Sequence, residues 1–557
     1  MKISLAQMNP TIGDFSGNLD RMTKAILQAM DQNADIVVFP ELAVPGYPPR
    51  DLLNRPSFIT AAQRALDEWL LELPSNHPAL LIGHVVTREQ KDTGRRLWNA
   101  AVFVENKKIV SIHPKTLLPS YDVFDEDRWF EPLSTPPSII KVHGVSIGVT
   151  ICEDLWTVAH EPTMGRYHQD PLQAVIDAGA TLVVNLSASP FSVGKHGERR
   201  QLLMQQAKKH NIPIVYVNQV GGNDELIFDG RSLVVNSQGA LVTQCAAFRP
   251  DVQSVETEDL STTASIEMLD PEDEVIQALV LGVRDYFTKI GAKKAVIGLS
   301  GGIDSALTAV IAADALGSEN VVGIAMPSEF SSDHSLNDAK ALAQNLGIEY
   351  HVVPIHSPLE SFRTLLKGIL GDTPWGVTDE NLQARIRGII LMAYSNRHGH
   401  LVLSTGNKSE VATGYCTLYG DMCGGMAVLS DVPKTLVYRV SRRLNKHQIR
   451  IPVSTIEKPP SAELRPDQRD DQSLPSYDVL DRILDLHVVD QMDHDDIVNA
   501  GFPTTTVDQI LGLVDRSEYK RRQMPVGLRV TTKAFGSGRR LPIAQKWSKE
   551  MPRNSNG

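Results

Sequence analysis

The sequence predicts an α/β protein built of two layered domains in series. Three observations carry this reading. At 557 residues the chain exceeds one ordinary hydrophobic core, and two units of about 250 residues each are expected. Short apolar runs of strand length alternate with helical stretches through both halves. Finally, Ser300-Gly301-Gly302-Ile303-Asp304-Ser305 lies between a strand-like run and a helix-like run, where a doubly wound parallel sheet places its ligand loops.

Hydrophobic content of 42% and charged content of 22% are those of a soluble globular enzyme. The net charge of −11 argues against nucleic-acid binding through a basic surface, and leaves room for a local basic pocket. Four cysteines (Cys152, Cys245, Cys416 and Cys423) give neither a disulfide framework nor a zinc-ligand spacing, so a reducing compartment is expected. The first residues read as a strand that breaks at Asn9-Pro10, too short for a signal peptide, and no apolar run reaches the length of about 18 residues that a membrane span needs. A cytoplasmic protein without membrane or nucleic-acid partners is expected.

In the first half, buried-strand runs fall at residues 35–40, 79–83, 145–151, 181–186 and 213–218, with helices over 18–31 and 201–210. The pattern stops near Phe248, giving a first domain of 1–248. Residues 249–269 are polar and read as a linker, and a second domain follows over 270–557. It opens on a helix whose first turn carries Glu272, Asp273 and Glu274, which suit the helix dipole. Further parallel strands are expected at 294–299, 320–327 and 400–405. The stretches 417–425 and 457–471 are read as active-site lids, because long polar segments in a compact domain commonly cover a site.

The loop at 300–305 has the parts of an anion site. Paired glycines let backbone N–H groups close on phosphate oxygens at a helix N-terminus, Ser300 and Ser305 add hydroxyls, and Asp304 can hold a divalent ion against the same phosphates. No Gly-Lys-Ser/Thr ends it, so it is not a kinase-type loop. In the first half, Glu41, Lys115 and Cys152 each end an apolar run. A cysteine nucleophile wants a base (Glu41), its tetrahedral intermediate an oxyanion stabiliser (Lys115), and the leaving amine a proton, which Glu41 can return. That set performs amide hydrolysis through a thioester.

The Ser-Gly-Gly-x-Asp-Ser loop after a strand resembles the pyrophosphate loop of the N-type ATP pyrophosphatases. Glu41, Lys115 and Cys152 in their contexts resemble the triad of the nitrilase/amidase superfamily, over roughly residues 1–260. Ser404 to Glu410 and Gly414 to Asp421 are similar to the signature of NAD synthetases. Across both halves the chain resembles the glutamine-dependent NAD synthetases in their shorter bacterial form.

That resemblance implies an α-β-β-α sandwich followed by an adenine nucleotide α-hydrolase-like domain. It also implies ATP-dependent amidation of deamido-NAD with Mg²⁺, ammonia coming from glutamine and passing between the fused sites. It places glutamine on Tyr121, Ser189 and Lys195, with Ser187 an alternative to Ser189 and Arg199 or Arg200 alternatives to Lys195; Glu126 is an accessory glutamate. ATP falls on Gly298, Leu299, Ser300, Gly301, Gly302, Ile303, Asp304, Ser305 and Thr405, with Lys408 a further phosphate contact. Deamido-NAD falls on Asn381, Glu410 and Lys520, Mg²⁺ on Asp304 and Glu410, and a homo-oligomer is expected. Two rivals stay open from sequence: the same chemistry on another carboxylate, and a nucleotide sensor without turnover.

Overall fold

The computed structural model describes all residues except 89–92, 135–136, 157–166, 168, 262–267, 373, 467, 469, 473 and 548–557. The expected linker and the stretch 457–471 both extend into residues outside that description.

The first half is a two-sheet sandwich. One sheet orders its strands Asp251–Glu256, Lys2–Gln7, Ile36–Val38, Ala79–Thr87, Leu97–Glu105 and Lys108–Pro114. The other runs Leu241–Gln244, Leu233–Val235, Ile214–Asn218, Leu182–Ser187, Val145–Ile151 and Ile139–Val142. Their inner faces meet through Ile3, Leu5, Val38 and Phe103 on one side and Ile147, Val149, Val184 and Val215 on the other. Each such side chain contributes about 1.5–3 kcal/mol by leaving water. The outer faces are covered by the helices Phe15–Asp31 and Pro56–Glu72, and by Pro171–Asp177 and Lys195–His210. This is an α-β-β-α architecture.

Part of the expected linker is not one. Asp251–Glu256 is a strand that pairs antiparallel with Lys2–Gln7, from Lys2 opposite Glu256 to Gln7 opposite Asp251. Its polar composition hid it, because an edge strand that buries only Val252 has one neighbour and tolerates polar residues. The hairpin Leu97–Glu105 with Lys108–Pro114 was likewise not anticipated.

The second half is a parallel sheet in the order Glu349–Val352, Val321–Ala325, Ala295–Gly298, Leu401–Ser404, Met426–Ala427, Val526–Gly527. Its central strand Ala295–Gly298 feeds the 300–305 loop and then the helix Ile303–Leu316. Order reverses beside that strand, so the loop opens into the crevice at the strand ends.

The halves are tightly joined. The helix Pro271–Ile290 crosses the hairpin Val220–Asn223/Leu226–Asp229 at two glycines, where a Cβ on Gly222 would lie 3.1 Å from the Gly282 Cα. Around the crossing, Asp285 accepts from the Gly222 N–H and from Asn9 Nδ2, both at 2.7 Å. The Lys289 ammonium donates to Asn9 Oδ1 (2.8 Å), Pro10 O (2.9 Å), Gly222 O (2.8 Å) and Asn223 Oδ1 (3.0 Å). Arg231 pairs with Glu274 at 2.6 Å. The segment after Val526–Gly527 returns to the first half, with Val193 N–H donating to Val530 O and Arg529 N–H to Glu225 O, both at 2.9 Å.

His84 lies fully buried in the strand Ala79–Thr87, neither ring nitrogen has a partner among the described residues, and burial lowers its pKa to about 3. The folded state therefore binds the proton less readily than the unfolded chain, whose His titrates near 6.5. Stability is complete above about pH 6.5 and falls as pH drops below it, by on the order of 3 kcal/mol at pH 4. The drop in unfolding free energy from pH 7 to pH 4, measured by urea titration, is expected to shrink by about that amount in His84→Leu.

Candidate active sites

Glu41, Lys115 and Cys152 converge at one end of the sandwich. Val145–Ile151 stops one residue before Cys152, which turns the chain into a short helical turn with φ +43°. That is a left-handed conformation for a residue with a side chain, costing about 1–3 kcal/mol and held only by its surroundings. Asp154 supplies the hold, accepting from the N–H groups of Ile151 (2.9 Å), Leu117 (2.8 Å) and Thr116 (3.2 Å). One carboxylate thus ties the cysteine elbow to the lysine loop.

Lys115 is completely buried, its Nζ 2.7 Å from Glu41 Oε1 and 2.7 Å from Glu126 Oε2. Tyr47 OH donates to Glu126 Oε1 at 2.8 Å, Asn99 Nδ2 to Glu41 Oε1 at 2.7 Å, and the Ala188 N–H to Glu41 Oε2 at 3.1 Å. Burial drags the ammonium down, but Glu126, Glu41 and Cys152 outweigh it and hold Lys115 well above its usual range. Burial and the neighbouring Glu41, resisted by Lys115, raise Glu126 to about 7. Burial pushes the Cys152 thiol up and Glu41 adds to this, against the pull of Lys115 and the Ser187 hydroxyl. A thiol so placed gives up its proton only to a base as it attacks.

Around this centre, Tyr121 OH donates to Glu153 at 3.0 and 3.1 Å. Ser189 is buried, its N–H donating to Asn218 Oδ1 at 2.9 Å. The Lys195 ammonium sits 4.3 Å from the Trp156 ring centroid, beyond the cysteine turn, and 3.2 Å from Glu198. Of the alternatives, Arg199 is fully buried against Asp229 at 3.0 Å, and Arg200 reaches the Met268 sulfur at 3.5 Å. Ser187 Oγ accepts from Tyr216 OH at 2.9 Å.

The second site is a cavity of ≈ 280 Å³ over the parallel sheet. Its floor is Gly298, Leu299, Ser300, Gly302, Ile303, Asp304 and Ser305, and Ser404, Thr405, Gly406 and Glu410 form a wall. Gly301 has φ +76°, and a Cβ there would lie 2.2 Å from the Ser335 carbonyl oxygen, so only glycine fits the loop. Ser305 Oγ braces it, accepting from Ser300 N–H at 3.3 Å and donating to Gly302 O at 3.0 Å.

Lys434 joins the two carboxylates expected to hold metal. Its Nζ is ion-paired with Asp304 and lies 3.6 Å from Glu410 Oε1, while Asn407 Nδ2 donates to Asp304 Oδ1 at 3.0 Å. Burial and the charge of Asp304, opposed by Lys434, raise Glu410 to about 8. Two hard oxygen donors aimed at one cation fit Mg²⁺. Lys434 has no local sequence signal, since it follows Pro433 at the start of an amphipathic helix, Lys434–Leu444. Asn99 and Tyr47 were missed because their partners are distant in sequence, as are the Thr116 and Leu117 partners of Asp154.

Of the expected lids, Lys458, Pro459, Pro460, Ser461, Ala462, Glu463 and Leu464 line the cavity, and Glu463 accepts from Ser332 and Ser335 hydroxyls at 3.0 and 2.9 Å. Stretch 417–425 is pinned, with Thr417 N–H donating to Asp421 Oδ1 at 2.6 Å and Gly425 N–H to Val402 O at 2.8 Å. Asn381 and Lys520 lie off the cavity lining. Asn381 Oδ1 accepts from Thr417 Oγ1 at 2.7 Å, and Lys520 donates to Gly414 O and Cys416 O, both at 2.7 Å. Lys408 is not a phosphate contact. Its buried ammonium is spent on Asp431 (2.8 Å), Thr531 Oγ1 (2.6 Å) and Lys533 O (2.7 Å).

Comparison with known proteins places both halves in known families. Residues 2–266 match the carbon-nitrogen hydrolase family and residues 275–524 the NAD synthase family. A glutamine-dependent NAD(+) synthetase from Synechocystis sp. is 51% identical over 554 residues, covering 98% of each chain. The chain belongs to the glutamine-dependent NAD(+) synthetase family. The family's Thermotoga maritima enzyme is 40% identical over 99% of this chain and 100% of its own. A solved family structure from Acinetobacter baumannii, in complex with ADP, superposes with TM-score 0.77 at 39% identity, over 98% of this chain and 99% of that one.

Lys408→Met leaves the buried Asp431 carboxylate without its ion-pair partner. A loss of about 3–5 kcal/mol in unfolding free energy is expected, read by thermal or urea melting of the unliganded protein.

Proposed function

We propose that this chain is a glutamine-hydrolysing NAD(+) synthase working through two centres. ATP adenylates the carboxylate of deamido-NAD(+), ammonia from glutamine displaces AMP, and the products are NAD(+), AMP, pyrophosphate and glutamate. The observation that carries this reading is the presence, in one chain, of a buried Glu–Lys–Cys centre and a phosphate-loop cavity with paired carboxylates.

At the first centre Glu41 takes the Cys152 proton as sulfur attacks the glutamine carboxamide carbon. Lys115, held between Glu41 and Glu126, faces the oxyanion, and Glu41 returns the proton to the leaving ammonia. Water then cleaves the thioester. Tyr121, Ser189 and Lys195 hold the glutamine; Lys195 is the basic group supported here, because Arg199 is committed to Asp229. At the second centre the 298–305 loop and Thr405 hold ATP. Asp304 and Glu410 would hold Mg²⁺, which supplies charge neutralisation on the phosphates. Lys434 keeps those carboxylates facing one point. Deamido-NAD(+) would use Glu410 together with Asn381 and Lys520, the last two outside the ATP cavity lining.

We also propose a homo-oligomer. The helix His356–Leu370 exposes Leu365 (73%) and Ile369 (79%), four residues apart on one face and apolar as a surface that a second copy covers. A cytoplasmic setting is supported by four free cysteines. Among the described residues no helix is long and apolar enough to cross a membrane.

Two tests follow. With deamido-NAD(+), ATP and Mg²⁺, Cys152→Ala should lose at least about 1,000-fold in glutamine-dependent NAD(+) formation while keeping the ammonium-dependent rate. Asp304→Ala should lose both. Glutamine use surviving in Cys152→Ala would remove the nucleophile assignment, and no NAD(+) from wild type with either donor would remove the function. Ile369→Glu is expected to lower the mass measured by analytical ultracentrifugation; an unchanged mass would remove this face as the interface.

A further inference from the structure

Three cations line the cavity over the parallel sheet: Arg387, Lys434 and Lys458. Lys434 is spent on Asp304 and Glu410, and Lys458 on Glu463. Arg387, on the helix Val377–His398, is different. Its Nε donates to the Met326 carbonyl at 3.0 Å, and no carboxylate lies within ion-pair distance of it among the described residues. Its two terminal nitrogens have no protein partner there. Burial without a countercharge lowers its pKa to about 10, with Glu463 and Asp421 only partly opposing the shift. A guanidinium left in this state is stabilised by an anionic ligand, and its fork of donors matches phosphate oxygens.

Position says which phosphate. Leu391, four residues on and on the same helix face, lines the cavity with Arg387. Together with Met326 it forms an apolar wall against the strand end, where a Cβ on Gly298 would come within 3.3 Å of both side chains. That wall suits a flat base. The N–H groups of 302–305 suit the outer phosphates, and Arg387 stands on the Met326 carbonyl beside the wall.

We propose that Arg387 binds the phosphate of the adenylyl group, in the adenylated intermediate and in AMP. This rests on the synthase reading above. In the second half-reaction the ammonia lone pair attacks the acyl carbon, and the carbon–oxygen bond to phosphate breaks with its electron pair staying on the phosphate oxygen. The nitrogen loses its proton to solvent. The phosphate thereby gains one negative charge on leaving as AMP, and Arg387, protonated throughout, is placed to meet it.

The test is calorimetric binding of AMP and of adenosine to the full chain, for wild type, Arg387→Gln and Arg387→Lys, with thermal melts alongside. Glutamine keeps a donor for the Met326 carbonyl and removes the charge. AMP affinity is expected to fall roughly 10–100-fold in Arg387→Gln and less in Arg387→Lys, with adenosine affinity and melting temperature unchanged. Ammonium-dependent NAD(+) formation should fall with AMP affinity. Unchanged AMP binding in both variants overturns the proposal. So does an equal loss for AMP and adenosine, which would mean that Arg387 only fixes the Met326 backbone. Should Arg387→Gln not fold, Arg387→Lys decides alone, and AMP binding at wild-type strength there overturns the proposal. Wild type that neither binds AMP nor forms NAD(+) would sink the synthase reading itself; wild type that does both, beside variants that bind AMP normally, sinks only the role of Arg387.

Discussion

A charge taken out of water has to meet its opposite, and both centres of this chain are arranged around that requirement. Lys115 is buried between Glu41 and Glu126, and Lys434 between Asp304 and Glu410. Each ammonium holds two carboxylates that would otherwise repel one another and take up protons. The cost of desolvating such groups is several kcal/mol per ion, recovered only when geometry and further hydrogen bonds are good. Tyr47, Asn99 and the Ala188 N–H supply those bonds at the first centre, and Asn407 at the second. Removing either lysine would leave buried like charges.

In the proposed function the two ammonium ions serve different chemistry. Lys115 is enclosed, so its field acts on whatever oxygen develops charge at the cysteine. Lys434 borders an open cavity, where its place between two carboxylates is one a divalent ion can share or take. In the proposed reaction the same residue type thus supports an oxyanion at one centre and a metal-binding pair at the other.

The halves meet over a surface that was invisible in the sequence. Gly222 and Gly282 allow a close helix-on-hairpin crossing, and Lys289 and Asp285 satisfy the buried polar groups around it. Phe191, Val220 and Ile227 of the first half share one hydrophobic cluster with Val283, Phe287 and Leu307 of the second. The C-terminal segment returns as well, with Arg529 reaching Asp122, next to Tyr121, at 2.5 Å. Amidase and synthetase are therefore packed as one body.

How much was legible follows from the range of the interactions. The central strands, the 300–305 loop and the ends of runs at Glu41, Lys115 and Cys152 are local features. Apolar periodicity, a Gly-Gly turn and a strand boundary each depend on a few neighbouring residues, so sequence determines them. The edge strand Asp251–Glu256 was read as linker because its pairing partner lies some 250 residues away at the N-terminus. Lys408 passed for a phosphate contact until Asp431 and Thr531 were seen beside it. Lys434, Asn99, Tyr47 and Arg387 acquire meaning only from what they touch, or fail to touch, across the fold. Sequence by itself determined the class, the two chemistries and their order along the chain. Tertiary structure decided which charged groups are spent on one another and which are left facing a cavity, because a charge's partner is set by proximity in space.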